Sequence, residues 1–97
     1  MATRMMMIFT KEEMRRCKIR PDGTIYVDLH KMSGPQTLRF INNIISLSRD
    51  PMHLVLIHGY HGGTVLRDLL RGDFFKSRCS KIYADKNNEG RTHFVVA

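Results

Sequence analysis

The chain has 97 residues, which suits one domain, because domains typically contain about 100–150 residues. Hydrophobic residues make up 42% and charged residues 26% of it, a balance typical of a folded domain rather than a disordered segment. The longest apolar run, Met5 to Phe9, is far shorter than the roughly 20 residues of a transmembrane helix, and charged residues follow it at once. We therefore expect a cytoplasmic protein that does not associate with membranes.

The charge is strongly basic, with 16 lysines and arginines, 9 aspartates and glutamates and a net charge of +7. Such an excess favours polyanionic partners, of which nucleic acid is the most common. The alternative is a basic surface that only keeps the protein in solution. The two cysteines, Cys17 and Cys79, lie too far apart in sequence to form a zinc or redox motif, and we expect free thiols.

Residues 1–20 differ from the rest of the chain and are interpreted as an N-terminal extension to a domain over 21–97. The extension contains a capping box, in which the Thr10 hydroxyl accepts from the backbone of Glu13 and the Glu13 carboxylate reaches back. This pattern predicts a short helix from about Lys11 to Lys18.

The first predicted strand, Thr24 to Leu29, alternates between two faces. Ile25, Val27 and Leu29 point to one side and Tyr26 and Asp28 to the other, followed by His30. A strand covered by helices on both sides would be apolar on both faces, so the pattern indicates helices on one face only.

The remaining elements follow from caps, apolar spacing and turns. Ser33, Pro35 and Gln36 begin a helix that ends near Pro51. The later predictions are a strand over 53–57, a glycine-rich loop over 58–63, a helix over 64–71 and two strands over 81–85 and 92–96 joined by a tight turn. The order β-α-β-α-β-β predicts an α/β two-layer sandwich with a four-stranded mixed sheet and helices on one face.

Two parts of this fold carry polar residues to the same edge of the sheet. Asp28 and His30 end the first strand and His58 ends the second, and the carboxyl ends of neighbouring parallel strands meet where open α/β sheets bind ligands. A carboxylate beside an imidazole fixes its tautomer and raises its basicity. The alternative is that Asp28 and His30 are only the solvent side of the strand and that His58 bonds to backbone.

The glycine-rich loop leads into a helix whose free N–H groups favour an anion. Arg67 in the first helical turn opposes the helix dipole, a conflict that a bound phosphate would remove. The alternative is a simple turn with a solvated arginine. The predicted phosphate-binding residues are Gly59, His61, Gly62, Gly63, Thr64, Arg67, Arg71 and Lys31. No nucleotide-binding glycine motif is present, so the sequence does not support a nucleotide cofactor. The His58-x-x-His61 pair lacks a third ligand, so we predict no metal site.

Two segments together resemble the Smr (small MutS-related) domain: Asp28-Leu29-His30, and the run Val55-Leu56-Ile57-His58-Gly59 followed by Leu66-Arg67. The resemblance extends from about Thr24 to Val96 and includes a similar closing strand. It implies a sandwich like the C-terminal domain of a bacterial translation initiation factor, nucleic-acid binding, and in many members endonuclease activity. It also implies that Asp28, His30 and His58 are catalytic and that Gly59 and Arg67 belong to the site.

Two departures from the family pattern are visible. Lys31 stands where the family usually has glycine, and Tyr60 and His61 displace the second loop glycine by one position. No mismatch-repair ATPase portion is present, so we expect a stand-alone, monomeric Smr protein.

Two functions stay open at this point. The first is an endonuclease that nicks DNA or cleaves RNA; with RNA, the 2′-hydroxyl supplies the nucleophile. Such a site requires no cofactor, although it is compatible with Mg²⁺. The second is a non-catalytic module that binds RNA, DNA or the ribosome by charge and shape.

Overall fold

Five strands form one mixed sheet in a computed structural model that describes residues 8–47, 49–59 and 64–97. Within these ranges the helices are α1 (Lys11–Arg15), α2 (Gly34–Ile45) and α3 (Val65–Arg71), with a short 3₁₀ helix at Lys76–Arg78. The strands are β1 (Cys17–Ile19), β2 (Ile25–Asp28), β3 (Met52–Ile57), β4 (Cys79–Ala84) and β5 (Arg91–Val96). They lie in the order β1-β2-β3-β5-β4, and only β2 and β3 are parallel neighbours.

The prediction of a four-stranded sheet is wrong, because residues of the N-terminal segment add a fifth strand. The capping box is confirmed: Glu13 N donates to Thr10 Oγ1 at 3.0 Å and Thr10 N donates to Glu13 Oε1 at 2.9 Å. The helix, however, ends at Arg15 rather than Lys18. Residues 17–19 pair antiparallel with β2 instead. The open edge of β2 offers unpaired backbone groups, and this pairing overrides the helical preference of a short basic segment.

The central elements agree with the predictions. Ser33 caps α2 by accepting from Gln36 N at 3.2 Å, and proline occupies the first helical turn. The β2–β3 pair is parallel with α2 between the two strands in sequence, and the last two strands form an antiparallel pair. The α/β class is therefore confirmed. No helix within the described ranges is long and apolar enough to cross a bilayer.

One face of the sheet carries the core. Val27, Leu54 and Phe94 are fully buried on it, together with Phe40 of α2 and Leu70 of α3. The residues that alternate with these in the strands point to the opposite face. The division of the chain into an extension over 1–20 and a domain over 21–97 stays a prediction, in which β1 is the contribution of the extension to the sheet.

Candidate functional site

The carboxyl ends of β2 and β3 meet at one edge of the sheet. Asp28 pairs with Ile57, the residue before His58, and Leu29 N donates to Ile57 O at 2.8 Å. Leu29 is fully buried and anchors the Asp28-Leu29-His30 turn in the core. The parallel pairing thus brings this turn beside the segment that starts at His58.

Asp28 and His30 form a close carboxylate–imidazole pair. His30 Nδ1 lies 2.5 Å from Asp28 Oδ1, and the same oxygen accepts from His30 N at 3.1 Å. Burial raises the pKa of Asp28, but the hydrogen bonds from the His30 ring and backbone outweigh it, so this pKa lies below its usual range. An ionised carboxylate only accepts, so Nδ1 carries the proton. When the ring carries this one proton, the lone pair is on Nε2, and the His30 side chain is 56% exposed.

Arg16 holds this turn from the N-terminal segment. Its guanidinium Nη1 donates to the backbone oxygens of Asp28 and His30, at 3.0 Å each, and Asp28 N donates to Arg16 O at 2.9 Å. Glu12, one helical turn earlier, pairs with the same guanidinium at 3.1 Å. The sequence offers no signal for this role, because it depends on the register between β1 and β2.

Lys31 occupies the turn position at which the Smr pattern usually has glycine. Its backbone φ is +65°, in the left-handed region that glycine enters most easily. Met32 N donates to Leu29 O at 3.1 Å and closes the turn. The chain therefore keeps the turn with a lysine, at a cost of about 1 kcal/mol for the strained backbone.

His58 is buried and bonded through both ring nitrogens. Nδ1 lies 2.8 Å from Gly59 O, and because a carbonyl oxygen can only accept, Nδ1 carries the proton. Nε2 therefore accepts from the Thr92 hydroxyl, at 2.9 Å. The oxygen of Thr92, a fully buried residue, accepts in turn from Arg71 Nε at 3.0 Å.

Burial and two nearby arginines favour the neutral form of His58. Burial lowers the pKa of His58; the hydrogen bond with Gly59 opposes that effect, and the positive charges of Arg71 and Arg67 lower it further. The imidazole is thus a fixed link between the start of the loop and α3. Alternation of Thr92 with Phe94 and Val96 is the sequence signal that places the threonine on the buried face.

The start of the glycine-rich loop is held by the turn between β4 and β5. His58 N and Gly59 N both donate to Gly90 O, at 2.9 and 3.0 Å. Gly59 has a φ of +75°, and an added Cβ would meet open space, so its backbone conformation rather than crowding explains the glycine. The predicted phosphate-binding residues His61, Gly62 and Gly63 lie outside the described residues.

In the first turn of α3, Arg67 has a carboxylate partner, whereas the sequence predicts an arginine that a bound phosphate would neutralise. Arg67 Nε donates to Asp68 Oδ1 at 3.1 Å, so a neighbouring carboxylate offsets its conflict with the helix dipole. The hydrogen bond from Arg67, followed by one from Thr64, lowers the pKa of Asp68. Thr64 stands at the N-cap position without capping the backbone through its side chain. A phosphate-binding role for Thr64 and Arg67 stays a prediction.

The structure thus brings Asp28, His30, His58, Gly59 and Arg71 to one edge of the sheet, with Lys31 in the adjoining turn. Arg16 and Thr92 are the two residues that sequence reasoning missed. Among the residues that the structure describes, no group of three or more His, Cys, Asp or Glu side chains could hold a metal ion.

The fold is similar to that of a solved Smr domain, from MutS2 of Thermus thermophilus. The similarity covers 74% of this chain and 96% of that one, with a TM-score of 0.56 and 22% sequence identity. No family model matches the chain, and a search of curated proteins finds no match. The chain therefore has an Smr-like fold, as the resemblance of its sequence motifs predicted.

Proposed function

We propose that this chain is a nucleic-acid-binding Smr-like domain that acts as an endonuclease, with His30 as the general base. The observation that supports this most directly is the Asp28–His30 pair. An ionised carboxylate orients the ring through Nδ1 and stabilises the imidazolium that forms when Nε2 takes a proton. The net charge of +7 favours a phosphate-rich substrate.

RNA is the simpler substrate for such a base, because its 2′-hydroxyl supplies the nucleophile. Nε2 of His30 takes the proton of a 2′-hydroxyl, whose oxygen then attacks the adjacent phosphorus. The bond from phosphorus to the 5′-oxygen breaks, and the departing oxygen takes a proton from solvent. Nicking of DNA would need the same base to activate water instead.

His58 and Arg71 have positioning roles in this proposal. His58 is neutral and bonded through both nitrogens, so it holds Gly59 and, through Thr92, the Arg71 guanidinium. Arg71 and Lys31 then supply positive charge near the phosphate. Asp28 acts through His30 rather than on the substrate.

Single-turnover cleavage of labelled RNA and of supercoiled plasmid tests the proposal. His30→Ala should abolish cleavage while fluorescence anisotropy shows unchanged affinity. Asp28→Asn should slow cleavage about 100-fold or more, within the usual contribution of acid–base catalysis. Asp73→Asn is the matched control, because it removes an exposed carboxylate that pairs with Lys76 outside the site.

The second candidate function is a non-catalytic module that binds RNA, DNA or the ribosome. The Arg67–Asp68 pair favours this second function, because Arg67 already has a carboxylate partner in its own helix instead of a free guanidinium for the reacting phosphate. If the wild type binds both substrates and cuts neither, with and without magnesium, this second function replaces the first. If His30→Ala cuts as fast as the wild type, the assigned base is wrong.

A further inference from the structure

The face of the sheet opposite the helices carries a row of side chains that crosses all five strands. The registers align Lys18, Tyr26, Val55, His93 and Tyr83, one from each strand in spatial order. Tyr26, Val55 and His93 alternate with core residues of their strands, and the registers place Lys18 and Tyr83 on the same side, so all five point away from α2 and α3. We call this row, with its neighbours His53, Arg20 and Arg91, the open face.

Aromatic rings make up one half of the open face. The rings of Tyr83 and His93 are stacked, with centroids 4.7 Å apart and planes 9° apart, and His53 lies 5.1 Å from His93. Tyr83 is 41% exposed at the edge of the sheet. Val55, between Tyr26 and His93, is only 1% exposed. The accessible part of this half therefore contains the ring of Tyr83, next to the half-buried side chain of Val95.

In the other half, two guanidinium groups lie over the ring of Tyr26. The Arg20 guanidinium lies 4.7 Å from the Tyr26 ring centroid and that of Arg91 lies 5.7 Å from it. Nε of Arg91 is buried without a hydrogen-bond partner among the described residues, and Arg20 is exposed. Neither arginine forms an ion pair with a carboxylate in the described ranges.

The acidic group nearest the stacked rings is already engaged. Asp85 pairs with His93 Nε2 at 2.7 Å, and both side chains are largely buried, at 17% and 15% exposed. Its negative charge is thus partly offset by hydrogen bonding within the fold. Lys18 and Lys81, both exposed at outward strand positions, add to the positive charge of the face.

We propose that the open face binds single-stranded nucleic acid, with a base stacked on the exposed ring of Tyr83, which His93 supports from its other face, and with phosphates held by Arg20 and Arg91. Flat rings accept any base by stacking, and flanking cations neutralise the backbone, which is the usual chemistry of single-strand binding. A protein-binding surface of the apolar kind would instead expose contiguous aliphatic groups. A duplex hides its bases and gains nothing from the rings.

The open face also leads to the candidate site. The next outward row along the strands contains Asp28, Ile57 and Arg91, about 7 Å from the row of Tyr26 and His93. A strand that passes over the rings would therefore reach the edge where His30 lies. Binding on the open face does not depend on cleavage, and the test keeps the two separate.

Fluorescence anisotropy with a labelled oligouridylate, a labelled oligothymidylate and a short RNA duplex tests the proposal. Tyr83→Ala should weaken single-strand binding about fivefold or more, the lower end of what one stacked base contributes. Tyr83→Phe keeps the ring and should bind within about twofold of wild type. Arg20→Ala should weaken single-strand binding and reduce its salt dependence. None of these variants should lose more affinity for the duplex than for the single strands.

Phe74→Ala is the matched control, because Phe74 is an exposed aromatic residue, 56% exposed, outside the sheet. Its affinity for single strands should equal that of wild type. All variants are also measured in a His30→Ala background, where the proposed cleavage is absent and the same affinity losses are expected. The proposal is overturned if Tyr83→Ala and Arg20→Ala bind the single strands as tightly as wild type does. It is also overturned if their loss of affinity is equally large for the duplex.

Discussion

Two buried threonines should respond differently to the same substitution. Thr92 and Thr37 are both fully buried. The Thr92 hydroxyl donates to His58 and accepts from Arg71, whereas Thr37 Oγ1 has no hydrogen-bond partner among the described residues. Replacement by valine keeps the shape of each side chain and removes only the hydroxyl.

Thr92→Val should lower the free energy of unfolding by about 2 kcal/mol. It leaves Nε2 of buried His58 without a donor, and such an unsatisfied group costs about 1–3 kcal/mol. Arg71 is only half-buried, so water replaces much of what its Nε loses. Thr37→Val removes a hydroxyl that was buried without a partner, and should leave stability unchanged or raise it by about 1 kcal/mol.

Thermal and denaturant unfolding of both variants measures this difference. For a domain of this size about 2 kcal/mol corresponds to a Tm lower by roughly 8–16 °C. Thr92→Ser retains the hydroxyl and should recover most of the loss. If Thr92→Val and Thr37→Val have the same Tm, the hydrogen-bond chain from Arg71 to His58 does not contribute to stability as argued.

Three further predictions concern the turn, the pH response and a thiol. Lys31→Gly should raise the free energy of unfolding by about 1 kcal/mol in denaturant unfolding, because glycine relieves a φ of +65°; a destabilised variant would contradict this. Burial lowers the pKa of His58, so the unfolded chain binds this proton at higher pH than the fold does. The contribution of neutral His58 to stability is therefore complete above about pH 6.5 and declines below that pH. Denaturant unfolding at pH 7.5 and 5.5 checks the sign, and a protein that is more stable at pH 5.5 would refute this prediction. Burial, and then the charge of Glu13, raises the pKa of Cys17 to about 11, so iodoacetamide at pH 8 should label this thiol only after unfolding, as mass spectrometry of the native and unfolded protein will show.

Local patterns explain which elements could be predicted from the amino-acid sequence. The capping box at Thr10 and the cap at Ser33 each act within one helical turn, so three or four neighbouring residues specify where those helices begin. The alternation in β2 likewise needs only a few residues to place Val27 in the core and Asp28 outside it. The Asp28–His30 pair was predicted from a spacing of two along a strand; in the structure β2 ends at Asp28, and the turn that follows holds His30 against the carboxylate.

The remaining features depend on register between distant segments. The sequence around Cys17 has no strand pattern of its own, and only the open edge of β2 turns it into β1. That pairing is also what brings Arg16 to the carbonyls of Asp28 and His30.

The role of His58 was likewise decided by tertiary structure. Its sequence position indicated a strand end, which alone fits a catalytic group as well as a structural one. The pairing of β3 with β5 places Thr92 against its ring, and α3 brings Arg71 to the same hydroxyl. The donor and acceptor inventory of these groups then assigns the proton to Nδ1. Hydrogen bonds between residues 21 and 34 positions apart have no periodic signature in a sequence, because they arise only after the strands have aligned.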